Sequence, residues 1–341
     1  MRQAKLRFGV IGVGVYSDAH MRGLAEAHER AEVVAICDLN EQRAKEAAQR
    51  FGAQVYTDYK RLVQNPDIDV VLIILPHHLH YEVARYALEH KKHVLLEKPL
   101  TIKSADGLHL IEKAIEVGVK FSVAENTRFI TAYIEAEKLL KQNALGEITL
   151  VRTFLAGNEV DRLLNTQLWK GKKVGSGGGV IIDAGPHTFY LLRWFFGDFK
   201  DVQAFESKVV EVSEVEDHAL VMGRLKNGAE YFCQFSFTVQ APWSERLEVY
   251  GSKGSLIIDQ LSNPPARWYK TPDDFFATPL EGVPYDPTAW KQSSFVAEIK
   301  DFVDAVWDDR APTVDPMDAY HGLLVIEKAY ESIVTGKRLN M

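Results

Sequence analysis

Arg7-Phe8-Gly9-Val10-Ile11-Gly12-Val13-Gly14-Val15-Tyr16-Ser17 is the stretch whose reading decides the fold. An apolar run enters a Gly-x-Gly turn, and a helix-like segment follows from Asp18 to about His28. A second apolar run, Val33-Val34-Ala35-Ile36-Cys37, then ends in Asp38. Strand, glycine turn, helix, strand and acid in this order are what a dinucleotide demands. Gly12 allows the tight turn out of the strand. Gly14 lets a pyrophosphate approach the backbone at a helix N-terminus, whose dipole stabilises the negative charge. An acid about 20 residues further on accepts from the ribose hydroxyls, and Asp38 stands there. Its carboxylate would repel a 2′-phosphate, so the cofactor expected is NAD rather than NADP. The cofactor-binding residues read from this stretch are Gly12, Gly14, Val15, Tyr16, Ser17 and Asp38. Ser17 occupies the place of the third glycine.

The alternation continues along the chain. A helix is expected over 40–51, with Asn40 as N-cap and Gly52 as stop. The run Val70-Val71-Leu72-Ile73-Ile74-Leu75 has the composition of a strand buried on both faces, and Pro76 ends it. His77-His78-Leu79-His80 lies beyond its C-terminal end, where open α/β sheets bind ligands. No acid or cysteine adjoins these histidines. They read as capping and loop residues facing a cofactor cleft, with a helix from Tyr81, and no metal is expected. The next strand, His93 to Glu97, brings Glu97 and Lys98 to the same edge. Leu75, Pro76, His80, Glu97 and Lys98 complete the expected cofactor side, with Lys98 placed to act on substrate. Thr101–Val117 reads as a helix and Val119–Val123 as a strand. The expected fold is therefore α/β: a doubly wound parallel (Rossmann) sheet over residues 1–124.

The remainder, 125–341, reads as a second α+β domain that binds substrate and builds the oligomer. Ile148–Leu155 alternates like a strand. Leu168-Trp169-Lys170-Gly171-Lys172-Lys173 reads as a polar loop with one aromatic, either solvated or open to an anionic group. Ser176-Gly177-Gly178-Gly179 leads into a helix from Val180 to about Trp194, on which Asp183 and His187 share one face four residues apart. The dipole favours a carboxylate in the first turns, and His187 can reach the same substrate. Repeated strand-like runs over 202–259, with a hairpin signal at Asn227-Gly228, predict a largely antiparallel open sheet. Tyr231, Phe232, Phe235 and Phe237 suggest that its face joins subunits into a homodimer or homotetramer. Residues 262–290 read as an irregular excursion, and helices over 293–308 and 316–335 close the chain.

Composition narrows the class. With 341 residues, 46% hydrophobic and 26% charged, the chain has the make-up of a two-domain globular protein. A net charge of −7 without a basic stripe argues against a nucleic-acid partner. Two distant cysteines, Cys37 and Cys233, make no disulfide framework and suit a reducing compartment. Met1-Arg2-Gln3-Ala4-Lys5 leads directly into the first strand, so no signal peptide is expected. No apolar run suits a membrane span, and a cytoplasmic location is expected.

These pieces together resemble the Gfo/Idh/MocA oxidoreductases, the family of glucose–fructose oxidoreductase and inositol dehydrogenase. The resemblance rests on Gly12-Val-Gly14 with His20, Asp38, Pro76 with His80, Glu97-Lys98-Pro99, Asn126-Thr127-Arg128-Phe129, and Gly177-Gly178-Gly179 through Asp183, Gly185 and His187. It implies that Lys98 touches substrate and nicotinamide ribose, that a cis bond precedes Pro99, and that Asp183 and His187 bind and deprotonate the substrate. Tyr190 stands where many members carry an aspartate. The activity expected is NAD-dependent oxidation of a secondary hydroxyl on a sugar, sugar derivative or cyclitol. Lys98, Asp183 and His187 are its catalytic residues; Asn126, Arg128, Trp169 and Tyr190 are further substrate contacts. The alternatives are a glycoside hydrolase or epimerase that retains NAD and turns it over internally, and a non-catalytic NAD sensor.

Overall fold

The computed structural model describes residues 4–273 and 276–341. Met1–Gln3, part of the expected lead into the first strand, and Asp274 and Phe275, within the expected excursion, lie outside the described residues. The chain forms two compact units, one of Met1–Asn126 with Gln292–Tyr320, the other of Thr127–Lys291 with His321–Met341.

In the first unit β1 (Leu6–Ile11), β2 (Ala31–Cys37), β3 (Gln54–Tyr56), β4 (Val70–Ile73), β5 (His93–Glu97) and β6 (Phe121–Ala124) form one sheet in the order β3-β2-β1-β4-β5-β6. Every pairing is parallel. All four residues of β4 are buried, as their β-branched run requires in a sheet covered on both faces. Helices Ser17–Glu26, Glu41–Gln49, His77–Glu89 and Ser104–Val117 make four of the crossovers, and the short helix Tyr59–Val63 lies on the one between β3 and β4. Asn40 caps the second by accepting from Arg43 N at 3.1 Å. Gly118, at φ 72°, ends the fourth in the left-handed conformation. The helix after β4 starts at His77 rather than Tyr81, because Pro76, with φ −56°, serves as its N-cap.

The expected second domain, 125–341, is divided by the structure. Residues Gln292–Tyr320 pack with the first unit. Along helix Trp290–Trp307, Ile299, Phe302 and Val303 form an apolar stripe, and it joins Phe8, Val10, Met21 and Leu24 in one buried layer. Gly23 permits this approach, since a Cβ there would collide with the Ile299 side chain.

The second unit is built on nine strands: β7 (Ile148–Ala156), β8 (Phe199–Ser207), β9 (His218–Leu225), β10 (Glu230–Ser236), β11 (Ser244–Gly251), β12 (Gly254–Asp259), β13 (Ala266–Tyr269), β14 (Thr278–Pro279) and β15 (Leu339–Asn340). Their order is β14-β13-β12-β11-β7-β10-β9-β8-β15. Among the described residues only β7 and β10 pair in parallel. Asn227-Gly228 makes the β9–β10 turn, with Gly228 at φ 98°. The excursion over 262–290 is partly regular, because β13 and β14 extend the sheet beyond β12.

Helix Val180–Phe196 packs on this sheet, with Phe189 5.8 Å from Phe199 and 6.0 Å from Phe235 between ring centroids. Tyr231, Phe235 and Phe237 are therefore core rather than interface; strand alternation turns them toward the helix, and only Phe232 looks the other way. Both thiols are enclosed, and burial pushes each of them up to about 12. Among the described residues no helix is long and apolar enough to cross a membrane, and no cluster of three or more His, Cys, Asp or Glu could hold a metal ion.

Candidate active site

The first unit gathers its candidate residues at the C-terminal ends of its strands. Gly12 follows β1 at φ 96°, and a Cβ there would run into the carbonyl oxygen of Ile74. Around Gly14, by contrast, a Cβ would meet nothing within 4 Å. Ser17 is buried, and its hydroxyl donates to Gly14 O at 2.6 Å, so the serine at the third glycine position braces the turn. Val15 and Tyr16 are exposed on its outer side. The Asp38 carboxylate accepts from Val13 N at 2.9 Å and from Asn40 N at 2.8 Å, which ties the acid after β2 to the glycine turn. Helix Ser17–Glu26 begins without a side-chain cap. An open glycine, an uncapped helix start and a pinned acid fit a dinucleotide's pyrophosphate and ribose.

Behind β5 lies a buried polar chain. His20 Nε2 is 2.8 Å from Glu97 Oε1, and Glu298 Oε2 is 3.7 Å from His20 Nδ1. Burial, followed by the charges of Glu97 and Glu125, pushes the Glu298 carboxyl well above the usual carboxylate range. Lys98 follows at the strand end, half-buried, and the Lys98–Pro99 bond is cis.

His80 sits inside the first unit. It is fully buried, with Nδ1 2.7 Å from Pro99 O and Nε2 2.8 Å from Leu75 O. Both ring nitrogens are occupied by backbone carbonyls, so this histidine links the ends of β4 and β5. Burial, and then the neighbouring His77, push it down to about 4.

In the second unit the glycine run before helix Val180–Phe196 is explained by a residue the sequence did not point to. Glu216 accepts from Gly179 N at 2.8 Å, from Ile181 N at 3.0 Å and from the Tyr330 hydroxyl at 2.9 Å. A Cβ on Gly179 would strike the Glu216 backbone, and one on Gly178 would strike Tyr330. A buried carboxylate thus caps the helix on which Asp183 and His187 ride.

Asp183 Oδ2 lies 3.0 Å from Lys170 Nζ, and Lys170 also meets Glu159 at 3.1 Å. Glu159 in turn accepts from Arg162 at 2.9 Å. Lys170 is buried, and its ammonium sits 4.8 Å from the centre of the Phe237 ring. The solvated-loop expectation is corrected for this lysine; it holds for Lys173, which is exposed.

His187 is buried one turn beyond Asp183, with Nδ1 3.3 Å from the Thr127 hydroxyl. A cavity beside it is lined by Thr127, Tyr133, Thr188, Glu245 and Arg246. Glu245, also missed by the sequence reading, accepts from Trp243 Nε1 at 3.0 Å and from Lys291 Nζ at 3.3 Å. Burial alone would push its carboxyl up. The charges of Lys291 and His187 and the Trp243 bond outweigh that and hold it below the usual carboxylate range.

The remaining expected substrate contacts are bound into the fold. Asn126 is buried and donates to Ser294 Oγ at 2.7 Å. Arg128 stacks over Trp194 at 3.7 Å from the ring centre and faces Glu137 at 3.8 Å. Tyr190 is 2% exposed, too enclosed to offer a substrate any surface. Trp169 is half-buried, with its backbone packed against Gly175.

Comparison with known proteins shows the family to which the chain belongs. Residues 6–125 match the model of an oxidoreductase family with an NAD-binding Rossmann fold, GFO/IDH/MocA, and residues 133–257 match the GFO/IDH/MocA C-terminal domain. The chain is similar to an uncharacterized oxidoreductase of Synechocystis sp., with 30% identity over 275 residues, covering 75% of this chain and 72% of the relative. It is similar to myo-inositol 2-dehydrogenase of Thermotoga maritima, with 25% identity over 334 residues and 96% of each chain covered. Among solved structures it resembles GenD2 from gentamicin A biosynthesis in complex with NAD, at TM-score 0.87 and 26% identity, covering 100% of this chain and 97% of that one. The glycine turn pinned by Asp38 and the capped helix of Asp183 and His187 thus belong to an NAD-binding oxidoreductase of the GFO/IDH/MocA family.

Proposed function

We propose that this enzyme oxidises a secondary hydroxyl of a sugar, sugar derivative or cyclitol, with His187 as general base. The observation that carries the reading is the helix Val180–Phe196, which Glu216 caps and which presents Asp183 and His187 one turn apart. When bound, NAD accepts the hydride from the carbinol carbon. His187 takes the hydroxyl proton at Nε2, the nitrogen away from Thr127; an imidazole suits this task because its ordinary pKa lies near neutral pH. Lys98 is assigned the stabilisation of the developing alkoxide. Asp183 accepts from a neighbouring substrate hydroxyl.

Lys170 pairs with Asp183 and Glu159, and Arg162 with Glu159, so within these ion pairs the charges balance. That balance supports a neutral polyhydroxylated substrate over one with a phosphate or carboxylate seated on Lys170. The relative named as a myo-inositol 2-dehydrogenase supports the same substrate class. Asp38 supports NAD over NADP.

A homodimer or homotetramer is proposed for the sheet face opposite helix Val180–Phe196. Register places Phe232 beside Met222 and Arg152 there, and Gln234 beside Leu220 and Phe154. Sedimentation showing a monomer at micromolar concentration would remove that part.

The test of function is absorbance at 340 nm with NAD, and separately NADP, over sugars, sugar acids, glycosides and inositols. A rise with NAD and a neutral polyol is expected, with His187→Ala and Lys98→Ala each lowering kcat/KM by about a hundredfold or more. The reading fails if both variants stay within a few-fold of wild type. It also fails if product forms with no net NADH.

A further inference from the structure

We propose that Glu245 is a positioning residue for His187, a carboxylate across the shared cavity whose charge supports the imidazole while it carries the substrate's proton. This rests on His187 being the base. Asp183 stands four residues earlier on the same helix. In the structure Asp183 is engaged by Lys170, and the acid lining the cavity beside His187 is Glu245.

Three observations single out Glu245. First, it is 6% exposed, on β11, an interior strand next to the central β7, where its register partner is Leu155. Burying a carboxylate there is costly unless charge offsets it. Second, one of its oxygens is fixed from the side by two donors, the Trp243 indole and the Lys291 ammonium. Lys291 is itself held over Trp243, 5.3 Å from the ring centre. Third, Glu245 and His187 share one cavity wall with Thr127 at Nδ1. Lys291 is part-buried over the Trp243 ring and keeps some access to water, so its pair with Glu245 alone does not account for the acid's place beside the histidine.

The chemistry follows the logic by which a buried acid supports a histidine base. In the forward step the substrate O–H bond breaks and its proton goes to His187. The carbinol C–H bond breaks with its electron pair leaving as hydride to NAD, and a carbonyl remains. His187 is then a cation. Glu245 stays ionised through the step, because Lys291 and Trp243 stabilise its charge, so it acts as an electrostatic support and not as a second proton acceptor. The other groups around His187 are Tyr133 from helix Thr131–Lys141, Arg246 beside Glu245 on β11, and Asp183 with Lys170 on the helix side.

The experiment follows the His187 ring by NMR in the full-length protein with labelled histidine, assigned with His187→Asn, in wild type, Glu245→Gln, Glu245→Asp and Asp183→Asn. Removing the Glu245 charge is expected to lower the His187 titration midpoint by about one pH unit or more, a tenfold change in its proton affinity. Glu245→Asp should restore most of it, and Asp183→Asn should move it less than Glu245→Gln does. A Glu245→Gln midpoint within about 0.3 unit of wild type overturns the proposal. If Glu245→Gln fails to fold by circular dichroism, Lys291→Met takes its place: removing the ammonium must raise the midpoint, and a fall or no change overturns the proposal. The titration needs no turnover. If His187→Asn leaves oxidation intact, the base assignment fails on its own, separately from the coupling.

Discussion

His80 makes this protein's stability depend on pH with a sign that can be worked out in advance. Its ring is fully buried, and its pKa falls from 6.5 to about 4. Two carbonyl oxygens face its two nitrogens, which taken alone would suit an imidazolium donating to both. Among the described residues no carboxylate bonds the ring, and desolvation of a buried cation outweighs the two carbonyls and the more distant charge of Glu97, so the neutral form is the one folded. Below about pH 6.5 the unfolded chain binds a proton at this position that the folded chain refuses. Stability attributable to His80 is therefore complete above that pH and is lost as pH falls toward 4. The full difference, about 2.5 pH units at 1.36 kcal/mol each, is about 3 kcal/mol. The perturbation is His80→Gln, which does not titrate and keeps two amide donors for the Leu75 and Pro99 carbonyls. Unfolding by urea is measured from pH 7 to 4.5 for both proteins, so that carboxylates common to both cancel. Wild type should lose about 2–3 kcal/mol more than the variant across this range. Parallel curves would refute the buried neutral histidine. A wild type that gains on the variant as pH falls would show the imidazolium to be the folded form.

Two further expectations test the site's framework. Gly12→Ala and Gly14→Ala should separate folding from binding. The first forces a Cβ into the Ile74 carbonyl at φ 96° and should cost about 2 kcal/mol or more. The second meets no neighbour within 4 Å, so its melting temperature should match wild type while its Kd for NAD rises about tenfold or more by calorimetry. Glu216→Ala strips the acceptor from two backbone N–H groups and the Tyr330 hydroxyl, and urea unfolding should show a loss of roughly 3–5 kcal/mol. A loss below about 1 kcal/mol would mean that the helix bearing His187 does not depend on this cap.

The parallel half of the fold was legible because its signals are local. Gly12, Asp38, the buried run of β4 and Asn40 each act within a few residues of where they are read. Asp183 and His187 were legible for the same reason, since four residues on a helix fix a shared face. What could not be read lies in contacts made across long separations. Glu216 reaches Gly179 over 37 positions, and nothing in either neighbourhood names the other. Lys170 sits in a run of lysines and glycines whose composition suggests water, yet two carboxylates and an aromatic ring enclose it. The packing of Arg128 on Trp194 and the burial of Tyr190 were not legible either, because polarity and motif position say nothing of which way a side chain faces. Glu245 carried no signal at all; alternation along β11 would place it on a face, but not beside a histidine from another element.

The return of Gln292–Tyr320 to the first unit bears on how the chain is made. The layer that holds Phe8, Val10, Met21 and Leu24 is finished by Ile299, Phe302 and Val303. On a ribosome adding roughly 5–20 residues per second, the surface completed near residue 124 waits roughly 10–40 s for its cover while β7 to β14 are being synthesised. Newly made N-terminal segments are then a natural client for chaperones. A fragment cut at residue 124 would retain every cofactor-binding position named above and still lack one wall of its core.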